Sequence, residues 1–191
     1  MTHHQNLKII APVGLSGSGK TTALTHFTDK DIPKVHIGNM AYEIMAERGI
    51  AKGEENEKAF RVAIREEKGP EVYAKRAAEQ IHKLAEAGQH RVILDGLYSW
   101  DEYKYLRHEF PGELTVVAVV APKHLRYHWL ENREDRPQSQ QVTMERDRHE
   151  IEDIQKGGPI AAADYFVMND GTFERFYEQL DEIARETDFL A

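Results

Sequence analysis

The stretch GLSGSGKT, residues Gly14 to Thr21, determines how the rest of the chain is interpreted. It satisfies the whole pattern G-x-x-x-x-G-K-[ST], in which glycines let consecutive backbone N–H groups curl around a phosphate. A short apolar run at residues 7–13 precedes it, and helix-forming residues at 19–27 follow it. A strand, a glycine-rich loop and a helix in this order predict a P-loop, a binding site for a nucleoside triphosphate. The alternative is a glycine-rich turn with an accidental Lys-Thr pair, and the two flanking elements argue against it.

The chemistry of a bound triphosphate assigns a role to each residue type in this loop. We expect Lys20 to reach the β and γ phosphates and to act in catalysis, and the hydroxyl of Thr21 to ligate Mg²⁺. The residues expected to contact ATP within the loop and the first helical turn are Gly14, Ser16, Gly17, Ser18, Gly19, Lys20, Thr21 and Thr22.

The remaining chain alternates short apolar runs with helical patterns, which predicts an α/β protein in one domain over residues 1–191. Strands are expected at about residues 7–13, 34–37, 91–95, 114–121 and 165–168. The nearly continuous apolar run LTVVAVVA at 114–121 is typical of a parallel strand covered on both faces. Ligands of such sheets bind at the carboxyl ends of the strands, where Gly14 and Asp95 are both expected.

Asp95 ends the apolar strand RVILD, residues 91–95. A carboxylate in this position can hold the hydration shell of Mg²⁺ or orient the attacking hydroxyl group. Asp-Gly is also an ordinary turn signal, so a purely structural role is the alternative. We predict the catalytic and metal-binding role because a P-loop fold needs its acidic residue at this strand end.

The composition excludes several classes of function. Without cysteine, the chain has no disulfide, no thiolate catalysis and no cysteine-bearing zinc site. The formal charge of -8 argues against nucleic acid as the main partner. Apolar runs stay well below the roughly 20 residues that span a membrane. We therefore expect a cytoplasmic monomer or homodimer that does not bind membranes and whose partners are small nucleotides.

The segments GLSGSGKT, ILDGLYS and ADYFVMNDGTFERF, in this order and at this spacing, resemble an adenylate-kinase-related group of AAA-family ATPases. The group lies among the nucleoside-monophosphate-kinase-like P-loop proteins and is best known from archaea; dephospho-CoA kinases are similar in outline. The similarity covers roughly residues 7–185. It implies a three-layer sandwich with sheet order 2-3-1-4-5, an acceptor-binding helical region at about 38–88 and a helical lid at about 134–158.

The resemblance also implies arginines that close over the phosphates. Arg133 and Arg136, at the start of the predicted lid, are the main catalytic candidates, followed by Arg146 and Arg148. The competing interpretation is a charged, solvated helix, and the segment 134–158 is expected to be peripheral and mobile. Asn169 and Gly171 match a loop that lies beside the nucleotide base in related kinases, although they also suit an N-cap turn.

The acceptor side is less well defined by the sequence. Arg61 and Arg65, one helical turn apart, could clamp an acceptor phosphate, but a surface ion-pair ladder with neighbouring glutamates is the competing interpretation. Asn39 follows the second strand, where many relatives carry an acid; it is expected to line the acceptor pocket and cannot act as a base. This departure weakens a direct transfer of the dephospho-CoA kinase assignment.

The function expected from these residues is an ATP- and Mg²⁺-dependent transfer of the γ-phosphate to a nucleotide or nucleotide-like acceptor. A dephospho-CoA kinase is the alternative enzyme. A nucleotide-binding regulatory ATPase module is the alternative from another class.

Overall fold

Each strand is followed by one or more helices in the computed structural model, which describes His4 and residues 6–190. The predicted domain limits, residues 1 and 191, lie outside the described residues. The elements are β1 Lys8–Val13, α1 Lys20–Thr28, β2 Lys34–His36, α2 Ile37–Glu47, α3 Glu54–Lys68, α4 Val72–Glu86, β3 Arg91–Asp95, α5 Trp100–Glu109, β4 Leu114–Val120, α6 Lys123–Asn132, α7 Gln140–Glu152, α8 Gly157–Ala161, β5 Tyr165–Met168 and α9 Phe173–Glu186. Within the described residues, no helix has the length and apolar character needed to cross a membrane.

The strands form one sheet in the order β2-β3-β1-β4-β5, and each neighbouring pair is parallel. The predicted order and orientation are therefore confirmed. The register pairs His36 with Asp95 at the carboxyl ends of β2 and β3. It also pairs Val13 with Ala118, so the loop after β1 begins at the same edge of the sheet. This edge collects the residues that the sequence singles out.

The two faces of the sheet are covered by different helices, which confirms the three-layer sandwich. Alternate residues of one strand point to opposite faces. Ile9 belongs to an apolar cluster shared with α2, α4 and α5, whereas the adjacent Ile10 belongs to a cluster shared with α1 and α9. Both isoleucines are almost completely buried. Burial on both faces explains why the strand sequences are continuous apolar runs.

Helix caps fix where two of the helices begin. Ser99, the N-cap residue of α5, accepts a hydrogen bond from the N–H of Glu102, and the Glu102 carboxylate accepts one in return from the N–H of Ser99. This reciprocal capping box satisfies two N–H groups that lack partners within the helix. Thr172 caps α9 in a similar way through the N–H of Arg175.

The segment 134–158 is exposed over most of its length, as expected, but one face of it packs inward, which the sequence did not predict. Its helix α7 directs Thr143, Asp147 and Glu150 inward, where all three are buried. Met144 and Ile151 on the same helix are about half exposed. This arrangement reverses the usual amphipathic pattern because the inner face of α7 packs on the polar P-loop region rather than on an apolar core.

Candidate active site

The loop between β1 and α1 has the backbone geometry of a phosphate cradle. Gly17 and Gly19 have φ values of 77° and 102°, which L side chains rarely adopt. A Cβ atom on Gly17 would also lie only 2.9 Å from the side chain of Leu130, and one on Gly19 would overlap the amide of Asn169. Among the described residues, the buried hydroxyl of Ser18 has no hydrogen-bond partner. The loop therefore fits an anion that accepts hydrogen bonds from it.

Lys20 opens α1 and lies largely buried beside this loop. Its ammonium group donates a hydrogen bond of 3.0 Å to the carbonyl of Leu15. Burial and the nearby charge of Lys156 lower the pKa of Lys20 to about 7, against the weaker opposing effect of Glu150. A lysine with a lowered pKa gains from an anionic partner, because that partner restores the favourable environment of the charged form.

A cleft of about 640 Å³ opens from the loop and brings Lys20, Thr21 and Asp95 together. The Asp95 carboxylate is 3.7 Å from the ammonium of Lys34 and 3.7 Å from Nε2 of His36, both on β2. These distances exceed those of hydrogen bonds, so neither basic side chain is hydrogen-bonded to the Asp95 carboxylate. The strand order explains the arrangement, since β2 and β3 are neighbours and end at the same level.

A hollow of about 580 Å³ adjoins the other side of the loop and is lined by Trp129, Asn169, Gly171 and Phe173. The side-chain amide of Asn169 donates to the carbonyl of Ser18 at 3.0 Å, which ties the loop after β5 to the P-loop. Phe173 is 64% exposed although it is aromatic. An exposed ring beside a phosphate cradle offers a surface for stacking a nucleotide base. Trp129 also lines the hollow, although the sequence analysis did not assign it to a base site.

The four arginines predicted to act from the lid differ in position. Arg133 lines both the cleft and the hollow, and Arg146 lines the cleft. The side chain of Arg136 is 86% exposed and lies 3.9 Å from Asp135, outside both cavities. Arg148 forms an exposed pair with Glu152. The catalytic role of Arg133 and Arg136 stays a prediction.

Arg126, which the sequence analysis did not single out, connects the P-loop to α7. Its guanidinium donates to the Ser16 carbonyl at 2.7 Å and makes two bonds of 3.0 and 2.6 Å to the carboxylate of Asp147. Both side chains are nearly buried, at 6% and 11% exposure. One residue of α6 thereby holds the P-loop and the segment 134–158 together. The spacing of Thr143, Asp147 and Glu150 places three polar residues on one helix face, but the sequence gives no signal that this face is buried against Arg126.

Glu150 and Lys156 are two further cleft residues that sequence reasoning missed. Their side chains form a buried ion pair of 2.9 Å. The other carboxylate oxygen of Glu150 accepts hydrogen bonds of 3.2 Å from the Ser16 hydroxyl and from Nε of Arg146. Ser16 is thus brought into the site through its side chain as well as its backbone.

The predicted acceptor residues lie on α2 and α3. Asn39 is exposed on the first turn of α2. The guanidinium of Arg65 lies 5.0 Å from the ring centroid of the buried Tyr73, and that of Arg61 lies 5.9 Å from the same ring. No carboxylate among the described side chains pairs with either arginine, so the proposed ion-pair ladder is not formed there. These three residues do not line the cleft, and their binding role stays a prediction.

The residues at the strand ends suit Mg²⁺ held jointly with phosphates. Mg²⁺ usually keeps several waters and is bound through one or two carboxylates plus substrate phosphates. Among the described residues there is no cluster of three or more His, Asp or Glu side chains for an all-protein site. Thr21 and Asp95, which line the same cleft as Lys20, provide a donor set of the shared kind.

Comparison with known proteins finds similarity along most of the chain. A family model named AAA_18, described as an AAA domain, matches residues 10–155. A UPF0200 protein of Thermococcus onnurineus is 34% identical over 181 residues, which cover 93% of this chain and 97% of that protein.

Solved structures show the same fold at low sequence identity. Shikimate kinase from Bacteroides thetaiotaomicron has a TM-score of 0.56 at 14% identity, covering 95% of this chain and 98% of that one. Dephospho-CoA kinase from Campylobacter jejuni has a TM-score of 0.53 at 14% identity, with the same coverage. The chain therefore has the fold of P-loop kinases that act on small molecules.

Proposed function

The chain belongs to the AAA_18 family of P-loop proteins, and we propose that it is an ATP- and Mg²⁺-dependent phosphotransferase with a nucleotide or nucleotide-like acceptor. The observation that carries this proposal is the cleft that joins Lys20, Thr21 and Asp95. A second support is the adjoining hollow, in which Phe173 and Trp129 offer aromatic surfaces beside Asn169. A phosphate cradle between a base site and an acidic strand end is the arrangement that phosphoryl transfer from ATP requires.

Each group would act mainly by positioning and by neutralising charge, because phosphoryl transfer needs little covalent chemistry from the protein. The loop N–H groups and Lys20 would hold the β and γ phosphates, and Arg133 would reach them from between the two cavities. Thr21 and Asp95 would hold Mg²⁺, which neutralises charge on the phosphates when bound. Asp95 would also accept a hydrogen bond from the acceptor hydroxyl and orient it for attack.

The charges beside Asp95 support an anionic acceptor such as a nucleotide. The side chains of Lys34 and His36 flank the carboxylate, each at 3.7 Å from it. An acceptor phosphate could bind to them while its hydroxyl approaches Asp95. In this proposal the region 38–88 covers the acceptor, with Asn39, Arg61 and Arg65 reaching it on closure, and the segment 134–158 is the lid.

The test is ADP release from ATP and Mg²⁺ with a panel of nucleoside monophosphates and dephospho-CoA. Lys20→Ala should reduce acceptor-dependent release by about 100-fold or more, because it removes a charge that stabilises the transition state. Lys104→Ala is the matched control, since this exposed lysine lies outside the cleft and pairs with Asp101 on α5.

Undiminished transfer by Lys20→Ala would refute the proposal. Stimulation by dephospho-CoA alone would identify the alternative enzyme. Slow hydrolysis that no acceptor changes would favour the regulatory ATPase module instead.

A further inference from the structure

The carboxylate of Glu150 lies in an environment built for a phosphate. Lys156 pairs with one of its oxygens at 2.9 Å, while Arg146 and the Ser16 hydroxyl bind the other at 3.2 Å. The Lys20 ammonium is close enough to interact electrostatically with it. A P-loop hydroxyl and three basic side chains thus surround a single carboxylate. Charged hydrogen bonds of this kind are the ones that recognise phosphoryl oxygens.

Burial makes these contacts strong. Glu150 is 5% exposed and Lys156 is 3% exposed, although both side chains are charged. Burial alone would raise the pKa of Glu150, but Lys156, Arg146 and Lys20 together outweigh it and lower that pKa. Glu150 is therefore an anion at neutral pH. Lys156 is further enclosed by the ring of Tyr98, whose centroid lies 4.7 Å from the ammonium.

We propose that the carboxylate of Glu150 takes the place of a phosphoryl group. Nucleotide binding displaces this carboxylate, and Arg146 and Lys156 then bind the phosphates instead. This inference rests on the proposed function only in so far as ATP binds at the P-loop. It assigns Lys156, a residue of the turn between α7 and α8, as a ligand of the triphosphate. It also makes Glu150 an internal competitor that lowers the affinity for ATP.

The electrostatic reason is direct. A triphosphate at the loop would bring several negative charges next to the Glu150 carboxylate, and like charges this close repel strongly in a partly buried site. Moving Glu150 away removes the repulsion and frees two basic side chains, Arg146 and Lys156, that already line the cleft. The displacement can occur in two ways. The Glu150 side chain alone can rotate, or the whole of α7 can move. Movement of α7 would strain the contact between Asp147 on the same helix and Arg126.

The first experiment measures binding without turnover. The equilibrium affinity for the Mg²⁺ complex of adenylyl imidodiphosphate is determined by calorimetry for the intact chain, Glu150→Gln and Glu152→Gln. The control Glu152 also pairs with an arginine four residues earlier on α7, but the pair is exposed. Glu150→Gln should bind roughly tenfold more tightly, the equivalent of one hydrogen bond to a charged group. Glu152→Gln should remain within about twofold of the intact chain.

A double-mutant cycle with Lys156→Gln tests the second half of the proposal. Lys156→Gln should weaken binding, because it leaves the Glu150 charge in the site without its main partner. The double variant E150Q/K156Q should bind more tightly than K156Q and less tightly than E150Q. If E150Q alone does not fold, the comparison of K156Q with the double variant still decides, since the two proteins differ only at residue 150.

Equal or weaker binding by E150Q, or a double variant no tighter than K156Q, would overturn the inference. Those outcomes leave the proposed function intact if acceptor-dependent ADP release persists. Tighter binding by E150Q without any acceptor-dependent release would support the inference and refute the kinase alone. Absence of binding by the intact chain would overturn both.

Discussion

Replacing Arg126 by methionine removes the side chain that joins the P-loop to α7. The guanidinium makes three hydrogen bonds, one to the Ser16 carbonyl and two to Asp147, and is only 6% exposed. Breaking a buried pair by removing one partner costs about 3 to 5 kcal/mol, because the other charge stays buried without compensation. Since methionine retains much of the side-chain volume, the loss should come from electrostatics rather than from a cavity.

Urea unfolding of the intact chain and of Arg126→Met measures this cost directly. In a protein of this size it corresponds to a fall of roughly 6 to 20 °C in the melting temperature. Arg148→Met is the matched control, because the Arg148–Glu152 pair on α7 is 75% and 58% exposed. An exposed pair contributes less than about 1 kcal/mol.

The variant R126M/D147L separates the pair from its burial. With both charges replaced by apolar groups, stability should recover most of what R126M loses. A loss below about 1 kcal/mol for R126M, or a double variant that is less stable than R126M, would refute the reasoning that the buried pair holds the two segments together.

Two further predictions follow from the hollow and from α5. Phe173→Ala should weaken ATP binding by about 1 to 3 kcal/mol through lost stacking and leave tripolyphosphate binding unchanged; equal losses for both ligands in calorimetry would contradict a base site. Burial raises the pKa of Glu102 above its ordinary value despite hydrogen bonds from the N–H groups of Tyr98 and Ser99. The folded state then binds more protons than the unfolded one, so the unfolding free energy relative to Glu102→Gln should fall as pH rises through and above the ordinary value of 4.5. Urea unfolding of both proteins at a series of pH values above the ordinary value checks this sign; a rise relative to the glutamine variant would contradict it.

The sequence was sufficient to predict the sheet because its strands are buried on both faces. A continuous apolar run such as 114–121 is too short to span a membrane and lacks the spacing of a helix, so it indicates a buried strand. The glycine-rich loop then identifies the edge of the sheet at which the ligand binds. The sheet order came from the resemblance, since hydrophobic patterns do not contain strand order. Even Ser99 could be anticipated as a cap, because capping depends on a few neighbouring residues.

The inner face of α7 could not be predicted in the same way. Asp147 and Glu150 share a helix face, but a polar face of a helix ordinarily points to water. An apolar residue such as Met144 would be expected to point inward, yet it is about half exposed. The burial of Asp147 and Glu150 depends on Arg126 and on the P-loop, which are brought to α7 only by the fold. Similarly, the spacing of Arg61 and Arg65 predicts a shared face but does not reveal that Tyr73 lies beneath it.

Basic side chains are concentrated in the cleft although the formal charge of the chain is -8. Their mutual repulsion explains why a carboxylate such as Glu150 lies among them. The lysines and arginines that line the cleft are Lys20, Lys34, Arg133, Arg146 and Lys156. Holding such charges close together destabilises the fold, and the Glu150 anion offsets part of that cost. The same anion opposes the entry of ATP. Stability and nucleotide affinity should therefore change in opposite directions in E150Q, as is common where a binding site keeps unfavourable charges together. A variant that gained affinity without losing stability would mean that the cations are held apart by the rest of the fold.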